Sequence, residues 1–193
     1  MAATPSTMLE LGTTLPAFRV RDTHGKVVTS NDVASPKGVL VAFICPHCPY
    51  VRHIRAEFAR LANDSLQRGL AVVAINSNDI AAVPEDGPKG MKEEIEEAGY
   101  AFPYLYDDTQ DVAKAFRAAC TPDFFLFDEG LRLVYRGQFD GSRPGSPTPV
   151  TGQDLKTAVD AMLAGQPVPV DQRPSLGCNI KWKKGEEPDY FRA

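Results

Sequence analysis

The chain has 193 residues, of which 43% are hydrophobic and 24% charged, a composition typical of a soluble globular domain. With 21 basic and 25 acidic side chains the net charge is −4, so the basic excess that nucleic-acid binding requires is missing and we expect no nucleic-acid partner. No apolar run reaches the ~18 residues of a membrane span, and no secretory signal opens the chain. We therefore expect a cytoplasmic protein without a membrane partner.

Hydrophobic patterns predict strands that alternate with helices along the chain. A short hairpin, 18–20 with 26–28, precedes a continuous apolar run over 38–45, which is typical of a strand buried on both faces. Apolar residues then recur from Val51 to Leu61 at spacings of three and four, which predicts a helix directly after that strand. The remaining predicted elements, in chain order, are a strand at 70–75, a loop at 84–88, a helix at 89–98, a strand at 104–106, a helix at 109–118, a hairpin of 124–127 with 131–135, and a helix at 151–164 with Thr151 as its N-cap.

This order predicts an α/β fold in which helices flank a central mixed sheet. Residues 1–164 form the predicted domain, which begins with the N-terminal hairpin. Residues 165–193 form an irregular C-terminal extension, in which Pro167, Pro169 and Pro174 block a regular helix.

The tetrapeptide Cys45-Pro46-His47-Cys48 lies between the apolar strand and the amphipathic helix. A thiol at a helix N-terminus lies among unpaired amides and at the positive end of the helix dipole, so we expect the pKa of Cys45 to fall. Pro46 fits the first helical position, and His47 would favour the thiolate further. The predicted roles are a nucleophile for Cys45 and a resolving thiol for Cys48.

The alternative interpretation of this pair is a partial zinc site, which would need Cys120, Cys178 or His47 to complete four ligands. The redox interpretation is favoured by the strand–turn–helix context. No nucleotide, flavin or metal motif is visible, so we expect no cofactor.

A Thr121-Pro122 pair stands just before the predicted hairpin, where a cis peptide bond fits. With the apolar strand into Cys45-Pro46-His47-Cys48 and the segment 15–28, this pair makes the chain resemble the thioredoxin-fold superfamily, specifically its redoxin and alkyl hydroperoxide reductase-like (AhpC/TSA-like) branch. The resemblance spans roughly residues 11–163. The tail segment 174–183 resembles that of a thioredoxin-like subgroup of this branch.

The resemblance implies a thioredoxin-like fold in which Thr121-Pro122 is a cis-proline loop facing the Cys45 thiol. It also implies that the backbone of Thr121 pairs with an extended substrate segment. The Pro46-His47 dipeptide is shared with strong oxidants such as DsbA, which suggests an oxidising couple.

The chain departs from the patterns of related families. The hydroxyl residue that peroxiredoxins carry three positions before the reactive cysteine is absent, because Ala42 and Cys45 occupy that position in the two registers. The tryptophan and the buried acid of thioredoxin are also absent near Cys45. We therefore expect the tail to fold over the active site, with Trp182 as an apolar cover and with Cys178 near Cys120 or Cys45 as accessory thiols.

These observations favour a thiol–disulfide oxidoreductase that acts on a disulfide-bearing protein, a small disulfide or a peroxide and is coupled to a reducing thiol system. One alternative is a peroxiredoxin-like, antioxidant thiol peroxidase that reduces hydroperoxides through a sulfenic acid. The other is a non-catalytic interaction or redox-sensing module that uses the same fold.

Overall fold

The computed structural model describes residues 3–191 and contains two sheets. The strands are β1 (Ala3–Pro5), β2 (Arg19–Asp22), β3 (Val27–Thr29), β4 (Val39–Phe43), β5 (Ala71–Asn76), β6 (Tyr104–Tyr106), β7 (Cys120–Thr121), β8 (Asp123–Phe127), β9 (Leu133–Gly137) and β10 (Leu176–Asn179). The helices are α1 (Ser30–Val33), α2 (Pro49–Gln67), α3 (Pro88–Ala98), α4 (Asp111–Ala115) and α5 (Gln153–Leu163), and a 3-10 turn covers Pro84–Asp86.

The central sheet has seven strands in the order β3-β2-β6-β5-β4-β8-β9. Strands β4, β5 and β6 are parallel to one another, and the remaining pairs are antiparallel. The predicted mixed sheet and the predicted hairpin between β2 and β3 are confirmed. Strand β4 lies in the interior of the sheet and is fully buried, as its continuous apolar run predicts.

Alternate residues of β4 divide the core between the two faces of this sheet. Leu40 and Ala42 face a cluster that includes buried side chains of α2, α3 and α5, whereas Val41 and Phe43 face a cluster with side chains of α1 and α4. At the centre of the first cluster, Phe58 of α2 is fully buried among four other aromatic rings.

A smaller antiparallel sheet, in the order β1-β10-β7, joins both ends of the described chain to the centre of the molecule. Cys178 of β10 lies opposite Thr121 of β7 and also opposite Ala3 of β1. The segment after residue 164, which the sequence predicts to be irregular, therefore contains a strand. The domain boundary at residue 164 stays a prediction.

The boundaries of helices α2, α4 and α5 differ from the predicted ones. Helix α2 begins at Pro49, not at Pro46, because Pro49 disfavours a helical backbone at the residue before it, and Cys48 is extended with a ψ of 120°. Helix α4 is shorter than predicted and is followed by Arg117, whose φ is 50°. The N-cap of α5 is Gly152, not Thr151; its φ of 64° suits glycine, and its amide donates to Asp140 Oδ2 at 2.7 Å.

Candidate active site around Cys45 and Cys48

Cys45 and Cys48 lie in the connection between β4 and α2, where the most buried strand meets the longest helix. Cys48 is the N-cap residue of α2, so it is Cys48 and not Cys45 that adjoins the free amides of the helix. Both side chains are fully buried, and both residues are free thiols. The local strand–turn–helix order is thus as predicted, but the helix begins one turn later than expected.

Thr121, the last residue of β7, contacts both thiols. Its peptide bond to Pro122 is cis. Its hydroxyl lies 3.3 Å from Cys45 Sγ, and its carbonyl oxygen accepts a hydrogen bond from the neutral Cys48 thiol at 3.1 Å. The two cysteines and the Thr121-Pro122 loop, which are distant in the chain, therefore form one buried cluster.

His47 is held beside Cys45 by a buried carboxylate that the sequence did not reveal. Its Nδ1 lies 3.8 Å from Cys45 Sγ and bonds to Asp86, whose other oxygen accepts the His47 backbone N–H at 3.0 Å. Asn78 donates to the same carboxylate at 2.8 Å, and Asp86 is completely buried. The only local signal for Asp86 is an acid in a proline-flanked turn, and such turns are usually exposed.

Burial reverses the predicted electrostatics of Cys45. Loss of solvent raises the pKa of Cys45 well above its ordinary value, and hydrogen bonding to Cys48 and the Asp86 charge act in the same direction. Hydrogen bonds from the Cys178 and Cys45 thiols lower the pKa of Cys48 instead. The expectation that Cys45 has the lowered pKa was therefore wrong, because it counted the helix N-terminus and left out desolvation.

The two accessory cysteines occupy different surroundings. Cys178 is buried in the core cluster that contains Cys45 and Cys48. Cys120 is also fully buried, but its thiol donates to the Pro122 carbonyl oxygen at 3.7 Å. Burial raises the pKa of Cys120, which favours its neutral form.

Trp182 lies away from the two thiols. It is part of the core cluster on the other face of the central sheet, where its ring packs edge-on against Tyr190 at 6.2 Å. Its side chain therefore does not take the position predicted for an apolar cover of Cys45. The His47 imidazole, with 15% of its side chain exposed, contacts Cys45 instead.

One group of three side chains has the composition of a metal site. Cys45 Sγ, a His47 ring nitrogen and an Asp86 oxygen lie within 4.8 Å of one another, and these are donor types that zinc accepts. Neither Cys120 nor Cys178 belongs to this group among residues 3–191. In the structure His47 and Asp86 bond to each other, an arrangement that orients the imidazole.

Comparison with known proteins agrees with this architecture. The AhpC/TSA family model matches residues 11–136. The chain belongs to this family.

Two solved structures are similar over nearly the whole chain. One is an uncharacterized conserved protein from Geobacillus kaustophilus, 53% identical, with a TM-score of 0.93 over 95% of this chain and 98% of that one. The other is a hypothetical protein from Sinorhizobium meliloti, 50% identical, with a TM-score of 0.92 over 94% and 100%.

The thioredoxin domain of a thiol-disulfide oxidoreductase from Bacteroides vulgatus is 24% identical, with a TM-score of 0.55 over 66% of this chain and 88% of that one. This likeness confirms the predicted thioredoxin-like fold. No curated protein matches the chain. No helix within residues 3–191 is long and apolar enough to cross a membrane.

Proposed function

We propose that this member of the AhpC/TSA family is a thiol–disulfide oxidoreductase whose redox centre is the Cys45–Cys48 pair. The observation that carries the proposal is the contact of one threonine with both sulfurs: the Thr121 hydroxyl at Cys45 and the Thr121 carbonyl at Cys48. Two thiols of one CxxC turn beside a cis-proline suit reversible formation of a disulfide. Thr121 and Pro122 bound the site, and Pro46 and His47 tune it.

Cys45 is the attacking sulfur in this proposal. Its neighbour His47 is partly exposed, whereas the Cys48 thiol contacts the buried Thr121 carbonyl. Because burial favours the neutral form of Cys45, Cys45 gives up its proton only as it attacks a disulfide, and that proton passes to the substrate thiolate that is released. Cys48 then attacks the mixed disulfide, and its proton leaves with the released thiol.

Because Cys45 is buried, a substrate reaches it only after a local movement. The group that moves is the His47 side chain, which contacts Cys45. The substrate class is a small disulfide or a disulfide-bearing protein, with a reducing thiol system to regenerate the dithiol. The cytoplasmic location expected from the sequence stays a prediction.

Turnover of a small disulfide by the full chain tests the proposal, with glutathione disulfide as the probe. Cys45→Ser should abolish turnover, and Cys48→Ser should stop the reaction at a mixed disulfide on Cys45. Cys120→Ser is the matched control, because Cys120 is equally buried but bonds to Pro122. Undiminished turnover in Cys45→Ser would remove Cys45 from its role.

Peroxide reduction is a second candidate, favoured by one contact. The hydroxyl that is absent before Cys45 in the sequence is supplied at 3.3 Å by Thr121. Stopped-flow mixing with hydrogen peroxide separates the two activities. A rate no faster than that of a free thiol excludes the peroxidase, and rapid sulfenic acid formation on Cys45 supports it.

A further inference from the structure

Strand β10 occupies the backbone edge next to the cis-proline. The resemblance to thioredoxin-fold proteins predicts that an extended substrate pairs with the backbone of Thr121, yet in the structure Cys178 of the same chain is the residue opposite Thr121. Asn179 lies opposite Cys120 in the same ladder. The position expected for a substrate strand is therefore filled by an internal strand that carries a thiol.

Strand β10 packs closely against Thr121 because Gly177 has no side chain. A Cβ on Gly177 would lie 2.0 Å from the Thr121 carbonyl oxygen, so a larger residue could not lie there without moving the strand. This is the same carbonyl oxygen that faces the Cys48 thiol at 3.1 Å. Gly177 thus brings the neighbouring Cys178 against the redox pair.

The direction of the side chains distinguishes Cys178 from Cys120. Residues directly opposite in an antiparallel ladder project to the same face, so Cys178 projects with Thr121, whose hydroxyl contacts Cys45. Cys178 lies in one core cluster with Cys45 and Cys48 and is only 3% exposed. Cys120 precedes Thr121 in its strand and belongs to neither core cluster.

We propose that Cys178 is a third redox thiol, which exchanges with the Cys45–Cys48 disulfide to form a Cys48–Cys178 disulfide. This proposal rests on the proposed function, since the first disulfide comes from reaction of Cys45 and Cys48 with substrate. The Cys178 sulfur attacks Cys48 Sγ, a bond between these two sulfurs forms, and the Cys45–Cys48 bond breaks. The step is an isomerisation, so it needs no added oxidant or reductant.

The surroundings of the three thiols give the exchange its direction. Cys48 is the sulfur attacked because its thiol contacts the backbone carbonyl of Thr121 at 3.1 Å, and Thr121 is the residue directly opposite Cys178. The leaving sulfur is Cys45, and it takes the proton that Cys178 releases, because its buried site favours the neutral thiol. In the product the disulfide joins Cys48 and Cys178, and Cys45 is a free thiol in the oxidised protein.

Disulfide mapping of the full-length protein tests this proposal. The protein is oxidised with glutathione disulfide at a series of ratios to glutathione, quenched in acid, alkylated in denaturant and mapped by peptide mass spectrometry. The wild type should yield both Cys45–Cys48 and Cys48–Cys178 linkages, with alkylated Cys45 in the second species. Cys45→Ala should form no Cys48–Cys178 linkage, because Cys45 is the sulfur that reacts with glutathione disulfide, and Cys48→Ser should leave Cys178 fully alkylated. Cys120→Ser is the control and should give the wild-type pattern.

Failure of this inference differs from failure of the proposed function. If Cys45–Cys48 forms while Cys178 remains alkylated at every ratio, or pairs only between molecules, the third thiol is refuted and the oxidoreductase remains. If the wild type forms neither a Cys45–Cys48 nor a Cys48–Cys178 disulfide, both are refuted. Wild-type mapping decides the matter even where a cysteine variant fails to fold.

Discussion

Replacement of Gly177 by alanine provides a direct perturbation of the contact between β10 and the cis-proline loop. Gly177 does not have a positive φ, so the effect of alanine comes from the contact of its methyl group and not from backbone strain. That methyl would lie 2.0 Å from the Thr121 oxygen and 2.7 Å from its carbonyl carbon. Both atoms are backbone and cannot rotate away.

The expected magnitude follows from this distance. Real Cβ contacts are essentially never shorter than 3.0 Å, so the two strands must separate by at least 3.0 − 2.0 = 1.0 Å. A ladder hydrogen bond of ~2.9 Å then stretches to ~3.9 Å, beyond hydrogen-bonding distance. The loss of about two such bonds, at ~1 kcal/mol each, lowers the free energy of unfolding by about 2 kcal/mol. With a urea m-value of about 2 kcal/mol/M, the midpoint falls by about 1 M.

Two measurements check this expectation. Urea unfolding gives the midpoint, and the rate at which N-ethylmaleimide labels Cys178 under native conditions reports whether β10 has moved. Gly141→Ala is the matched control, because its added Cβ meets nothing within 4 Å and its φ is not positive either. If Gly177→Ala matched this control in both the midpoint and the labelling of Cys178, β10 would not lie against Thr121 as described.

Three further predictions concern the interior. Burial raises the pKa of Glu94 from 4.5 to about 7, so the charged form of Glu94 destabilises the folded state. Relative to the wild type, Glu94→Gln should show no difference in the free energy of unfolding at pH 4 and a gain that grows as the pH rises from 4.5 to 7, reaching about 3 kcal/mol above pH 7. Urea unfolding at a series of pH values measures this difference. A constant difference across that range would contradict the burial argument. Thr121→Val removes the hydroxyl whose hydrogen bond lowers the pKa of Cys45, so iodoacetamide should label Cys45 more slowly than in the wild type at each pH. Labelling at the wild-type rate would argue against that hydrogen bond. Phe58→Ala should cost about 3–5 kcal/mol in urea unfolding, because Phe58 is fully buried, and a loss under 1 kcal/mol would mean that the site collapses around the smaller residue.

The alternation of elements could be predicted from the sequence because apolar periodicity is a local property. The continuous apolar run of β4 requires burial on both faces, and the stripe that includes Val51 and Phe58 requires one buried helix face. The dithiol was visible for the same reason, since Cys45 and Cys48 are separated by only two residues. Thr121-Pro122 was noted from its place before the predicted hairpin, but its position facing Cys45 came only from the resemblance, because nothing in its local pattern brings it to Cys45.

Only the tertiary structure decided which groups surround those thiols. Asp86 meets His47 across 39 positions of the chain, and Cys178 meets Thr121 only because a tail with little periodicity supplies a strand. No local pattern encodes such contacts, since they depend on how separate elements pack. The pKa of Cys45 illustrates the difference: its place near a helix start was readable from the sequence, but the complete loss of solvent that outweighs it arises from the whole fold.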